Sequence, residues 1–172
     1  MIGQVFTTQH CGDVVVHEYK NRDNVFVTFL NTGTEIRTTK ARLLGSDRPR
    51  LRDPRAPTVF GVGCIGVGPH KAHEKGADTK PFGVWRAMLR RCYYRGGKHH
   101  QPSYEGCSVA PEWHDFQTFA QWFEDNYPKD GGRYQLDKDT IVPGNKTYSP
   151  DRCRFVTQLD NLAARSRPGR GR

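Results

Sequence analysis

The apolar periodicity of this chain changes once, and that change constrains the fold more than any other feature. Up to Gly45 the apolar residues sit in β-branched and aromatic runs: Asp13-Val14-Val15-Val16-His17-Glu18-Tyr19, Asn24-Val25-Phe26-Val27-Thr28-Phe29-Leu30 and Glu35-Ile36-Arg37-Thr38-Thr39. Such runs suit a pleated, half-buried surface. Asn21–Asn24 and Asn31-Thr32-Gly33 lie between them as turns. From Phe82 the period becomes helical. Phe82, Trp85, Met88, Leu89 and Cys92 fall on one face of a helix ending near Tyr94. A second helix is expected from Pro111, a good first-turn residue, with Trp113, Phe116, Phe119, Ala120, Phe123 and Tyr127 as its apolar stripe. These aromatics are expected in a core, because an exposed stripe of that size promotes aggregation. The chain is therefore expected to be α+β. A small barrel-like β domain at residues 1–45 comes first, then a connector at 46–81, an α+β domain at 82–164 and a basic tail at 165–172.

The connector is rich in proline and arginine. Arg48, Arg50, Arg52 and Arg55 alternate with Pro49, Pro54 and Pro57. Proline favours an extended backbone, and an extended row of arginines can lie along phosphates. Further on, Gly61-Val62-Gly63-Cys64-Ile65-Gly66 fits the dinucleotide pattern Gly-x-Gly-x-x-Gly. That pattern requires a helix starting there within a βαβ unit. Gly68-Pro69-His70 follows instead, so the glycines are read as sites of tight backbone packing.

The chain has 172 residues and a formal net charge of +9. A positive balance of this size, clustered in segments, points to a polyanionic partner, nucleic acid before an anionic membrane surface. No run approaches the ~18 apolar residues needed to span a bilayer. The start Met1-Ile2-Gly3-Gln4-Val5 has no charged stretch leading into an apolar one, so no secretion signal is expected. The five cysteines, Cys11, Cys64, Cys92, Cys107 and Cys153, are widely spaced and odd in number. Reduced thiols in a cytoplasm are expected. Zinc held by Cys92, Cys107, Cys153 and one of His99, His100 or His114 is conceivable, but burial as small apolar groups is the expectation.

Towards the C-terminus the residue types turn to chemistry. Gln135-Leu136-Asp137-Lys138-Asp139 leads into the turn-rich Gly144-Asn145-Lys146-Thr147-Tyr148-Ser149-Pro150. Arg152-Cys153-Arg154-Phe155-Val156-Thr157 then reads as a short strand. Thr157-Gln158-Leu159-Asp160 is a capping-box pattern that starts a helix and places Asn161 in or near its first turn. A hairpin packed on that helix can bring Asp137 and Asn161 together around one divalent ion. Beyond it Arg165, Arg167, Arg170 and Arg172 stand among Ser, Pro and Gly, a composition expected to be disordered when free and able to neutralise phosphates without reading sequence.

These segments resemble the phage-borne HNH nucleases, homing-endonuclease-like proteins built on the ββα-metal motif. The resemblance also takes in Trp85-Arg86-Ala87-Met88-Leu89, Arg91-Cys92-Tyr93, Tyr104-Glu105-Gly106-Cys107 and Glu112-Trp113-His114-Asp115-Phe116, roughly half of the chain. It implies Asp137 and Asn161 as ligands of Mg²⁺ or Mn²⁺. It also puts Lys138 where the family has its water-activating His, and Arg152 where a central Asn orients that His. Lysine normally titrates near ~10.4, so a Lys138 base needs burial or neighbouring positive charge to lower its pKa. Loss of a general base reduces rate by about 10²–10⁴. Lys138 and Arg152 would still hold phosphate.

Three functions are therefore open from the residues: a metal-dependent DNA endonuclease, a non-cleaving nucleic-acid-binding protein on the same scaffold, or a phage factor that binds a host protein or nucleoprotein complex. Double-stranded DNA is the expected polyanion, the host cytoplasm the expected compartment, and no membrane association is expected.

Overall fold

The computed structural model describes residues 1–97 and 101–165, with backbone alone for Ala164 and Arg165. The chain is mixed α+β and divides into two compact units, one of Met1–Ala56 and one from Pro57 onward.

In the first unit four strands form an antiparallel sheet in sequence order: β1 (Val5–Thr7), β2 (Asp13–Asn21), β3 (Asn24–Phe29) and β4 (Glu35–Thr38). Alternation puts Val14, Val16, Val25, Val27 and Phe29 on one face, all fully buried. A bulge at His17 shifts the β2–β3 register. Helix α1 (Lys40–Leu44) starts on Thr39, whose hydroxyl accepts from the Arg42 N–H at 3.2 Å, and it presses Leu43 into the same core.

The expected barrel does not close among the described residues, and β1 and β4 remain sheet edges. The segment after α1 lies on this unit without joining the ladder. Its backbone contact is the Gln9 N–H donating to the Pro49 carbonyl at 3.2 Å. Pro49 and Pro54 have no N–H to give, which is a physical reason why no fifth strand forms.

The segment is nonetheless anchored. Pro49, Leu51 and Asp53 are buried while Arg48, Arg50, Arg52 and Arg55 are exposed. Asp53 holds it: its Oδ2 accepts from Thr32 Oγ1 at 2.6 Å and its Oδ1 from the Arg55 N–H at 2.9 Å. The boundary between the units thus falls at Ala56/Pro57, inside the stretch expected as a connector.

The second unit opens with a tight turn, Val59-Phe60-Gly61-Val62, and a small hairpin, β5 (His73–Glu74) with β6 (Ala77–Asp78). Helix α2 (Lys80–Tyr93) buries Phe82, Trp85, Met88, Leu89 and Cys92. Strand β7 (Ser108–Val109) and a 3-10 turn at Pro111–His114 lead to helix α3 (Phe116–Asn126). α3 starts later than Pro111 because Asp115 is the better cap: its Oδ1 accepts from the Gln117 N–H at 2.8 Å. The aromatic stripe is core, with Trp113, Phe116 and Phe119 fully buried and the Trp85 indole N–H donating to the Trp113 carbonyl at 2.7 Å.

Strands β8 (Tyr134–Asp137) and β10 (Arg154–Thr157) pair antiparallel, and helix α4 (Gln158–Arg165) follows directly. Between them β9 (Thr147–Tyr148) pairs parallel with β7. The glycines near residue 60 open no helix. A Cβ on Gly63 would stand 2.5 Å from Leu89 Cδ1, and one on Gly66 would meet the Asp115 carboxylate. No described helix is long and apolar enough to cross a membrane.

Candidate functional site

The β8–β10 register decides which side chains share a face. Leu136 opposes Phe155, and Arg154 opposes Asp137. Leu136 and Phe155 belong to the core of the second unit. By strand parity Gln135, Asp137, Arg154 and Val156 face the other way. α4 touches that face through Asn161, whose Nδ2 donates to Gln135 Oε1 at 2.9 Å. The helix is set by its cap: Thr157 Oγ1 accepts from the Asp160 N–H at 3.2 Å and donates to Asp160 Oδ2 at 2.7 Å. Asn161 therefore meets the residue two before Asp137, and that residue's Cα lies ~7 Å along the strand from the Asp137 Cα.

Asp137 is buried, at 9% exposure, and caps its own turn. Its Oδ2 accepts from the Asp139 N–H at 3.0 Å, from the Thr140 N–H at 2.6 Å and from the Thr140 hydroxyl. Oδ1 carries none of these bonds. Arg154, directly across the ladder, is exposed and is the basic residue that shares this face.

Lys138 points away from that face. It is buried, at 7% exposure, and its ammonium donates to Asp139 Oδ2 at 3.0 Å and to the Asn145 carbonyl at 2.7 Å. It also lies 5.9 Å from the centre of the Tyr148 ring. With its amine engaged in this way, Lys138 pins the turn rather than facing Asp137 and Asn161. Arg152 is not part of the arrangement: its side chain is half exposed and pairs with Asp151 at 3.6 Å.

Asn145 instead fixes the residue after the strand-end acid. Its Nδ2 donates to the Lys138 carbonyl at 3.0 Å and to the Thr147 carbonyl at 2.6 Å, and its Oδ1 accepts from the Thr147 N–H at 3.0 Å. In the sequence Gly144-Asn145 reads as a turn within the HNH-like resemblance, with no separate role for Asn145. The available signal was a carboxamide inside that turn, able to bond both chain directions at once.

The titratable groups behind the turn are held neutral. Burial pushes the Cys153 thiol up to about 12, and the nearby Asp137 charge adds to the effect. Burial and the neighbouring Cys107 push Cys92 up to about 12 against an opposing Lys138. Burial also raises Tyr148, with Arg91 opposing. None of the three is a thiolate or phenolate at neutral pH, so none serves as a ready nucleophile or base.

Among the described residues no three His, Cys, Asp or Glu side chains cluster as a metal site. Asp137 and Asn161 offer one carboxylate and one amide oxygen, and the Asn161 amide bonds Gln135 rather than Asp137. Of the arginines expected on nucleic acid, Arg48, Arg50, Arg52 and Arg55 are exposed on the first unit. The Arg165 side chain, and all of Arg167, Arg170 and Arg172, lie outside the described residues. His99 and His100 do so as well, whereas His114 bonds the Val109 carbonyl at 3.0 Å. No protein-family model, curated protein or solved structure matches this chain.

Proposed function

We propose that the second unit grips nucleic-acid backbone through an HNH-like ββα arrangement and cuts it poorly or not at all. One observation carries this reading: Asp137, Arg154 and Asn161 belong to one face, while Lys138 is turned away and tied to Asp139 and Asn145. Asp137 and Asn161 would hold one Mg²⁺ or Mn²⁺, which supplies positive charge for a phosphate oxygen. Arg154 would take a second oxygen through its fork. No described base stands on that face, so the expected water-activation step lacks its residue. The exposed Arg48, Arg50, Arg52 and Arg55 support the same polyanionic partner from the first unit.

A second reading, a competent metal-dependent endonuclease, is favoured by one detail. Asp137 bonds its turn through Oδ2, which leaves Oδ1 as the oxygen that a cation would take.

Duplex binding measured by mobility shift should fall steeply between low and physiological salt. Supercoiled plasmid with Mg²⁺ or Mn²⁺ at pH 7 should stay intact, and Asp137→Asn should weaken the metal-dependent part of binding. Binding that is absent at low salt, or insensitive to salt, would overturn the nucleic-acid reading. Nicking by the wild type that Asp137→Asn abolishes would replace the first reading with the second.

A further inference from the structure

Two backbone choices in the second unit are unfavourable for stability, and both border the same cleft. Phe60 sits at φ +53° and Gly61 at φ +74°, the central pair of a turn closed by the Val62 N–H on the Val59 carbonyl at 3.2 Å. That mirror-image turn prefers Asn-Gly or Gly-Gly, and a bulky aromatic is strained in its first central position. Gly83 lies inside α2, where glycine weakens a helix relative to alanine. No neighbour requires it, because a Cβ there would meet nothing within 4 Å.

The space beside Gly83 is a cleft of about 300 Å³ lined by Phe60, Gly83, Arg86, Ala87 and Arg90. It lies on a face of α2 beside the one that carries Trp85 and Leu89. Gly63 brings the turn close enough to α2 for Phe60 to reach over, since its backbone packs on those two side chains. Arg86 and Arg90 are one helical turn apart and project side by side. Arg86 is held at 2.7 Å by Asp78, whereas Arg90 is exposed and makes no ion pair with a described residue. Tyr94 buttresses Phe60 edge-on, with ring centres 6.1 Å apart.

We propose that this cleft receives one nucleotide of an unpaired strand, its base against Phe60 and its phosphate on Arg90 with Arg86 beside it. The chemistry on the walls selects this ligand class. An aromatic ring stacks on any base, and a guanidinium fork matches phosphate. The missing side chain at Gly83 leaves the floor open. The strain at Phe60 is then the cost of presenting a ring where the turn would favour a small polar residue. This site goes beyond the ββα reading and uses none of its residues.

The test is fluorescence anisotropy with a labelled oligothymidylate of about ten nucleotides, a length that exceeds one site. A duplex of equal length and free thymidine monophosphate serve as separate arms. Phe60→Leu and Gly83→Leu should each weaken oligothymidylate by about tenfold or more while leaving duplex affinity unchanged. Arg90→Gln should lower the single-strand salt slope by about 0.7. Gly83→Leu also separates binding from folding, because leucine favours a helix and its thermal midpoint should not fall. The proposal is overturned if Gly83→Leu binds oligothymidylate like the wild type, if the loss extends equally to duplex, or if the free nucleotide competes as tightly as the strand. Absence of salt-sensitive, metal-dependent duplex binding with the oligothymidylate pattern intact would remove the ββα reading and leave this one standing.

Discussion

Each unit holds a buried aspartate that ties down an irregular segment, and the two do so differently. Asp53 spends both oxygens, one on Thr32 across the unit and one on the Arg55 N–H in its own turn. Asp137 loads all three of its bonds onto Oδ2, from Thr140 and Asp139. The first is committed to structure on both sides. The second closes its turn through one oxygen.

The first expected effect tests that contrast directly. Asp53→Asn can keep its carbonyl on the Arg55 N–H, but its NH₂ forces the Thr32 hydroxyl to turn from donor to acceptor, and the change should cost about 1–2 kcal/mol in urea unfolding. Asp137→Asn keeps one carbonyl oxygen for the whole turn and should cost about 1 kcal/mol or less. Equal losses would break the comparison. Next, Asn145→Ala removes three bonds from the Lys138–Thr147 loop and should cost about 2 kcal/mol. A near-neutral result would mean that Lys138 is not pinned as described.

A smaller effect follows from the buried thiols. Folded Cys92 and Cys153 titrate near 12 rather than at the ordinary 9.0, so above about pH 9 the unfolded chain binds fewer protons than the folded one. Stability is therefore full below that pH and should fall by roughly 1 kcal/mol per pH unit per thiol as pH rises towards 12. Denaturant titrations at pH 7, 9 and 10, repeated on Cys153→Ala, check the sign, and a flat profile would contradict it. The smallest change is a gain. Gly83→Ala should stabilise the protein by about 0.5–1 kcal/mol, because the added methyl enters open space. A loss would show that the floor of the cleft is packed.

What was legible in the sequence depended on how far a residue's role is set by its neighbours in the chain. The stripe Phe82, Trp85, Met88, Leu89 and Cys92 needs only the helical period, and it names the buried face of α2. Val14, Val16, Val25 and Val27 need only alternation. The stretch Pro49 to Asp53 also alternates, but its prolines and arginines give it the composition of a solvated connector, whereas Leu51 and Asp53 are its buried anchors. Lys138 comes directly after the last residue of β8, where strand parity ends. Only the positions of Asp139, Asn145 and Tyr148 show that it turns inward. Arg152 lies close in sequence to Arg154, and register alone separates the residue opposite Asp137 from the one outside the ladder. Asn145 stands seven residues from the carbonyl it holds, a link that no local pattern encodes.

The parallel pairing of β7 with β9 has a consequence for how the molecule assembles. β9 lies inside the excursion that separates β8 from β10, and its partner comes from before α3. The β8–β10 pair is thus not a local hairpin that zips from a tight turn. Its closure follows contacts between distant parts of the chain, whose loop entropy is met first. Gln135 and Asn161 should be brought together late in folding, after α2 and α3 have docked. A peptide beginning at Tyr134 should lack the register that joins them.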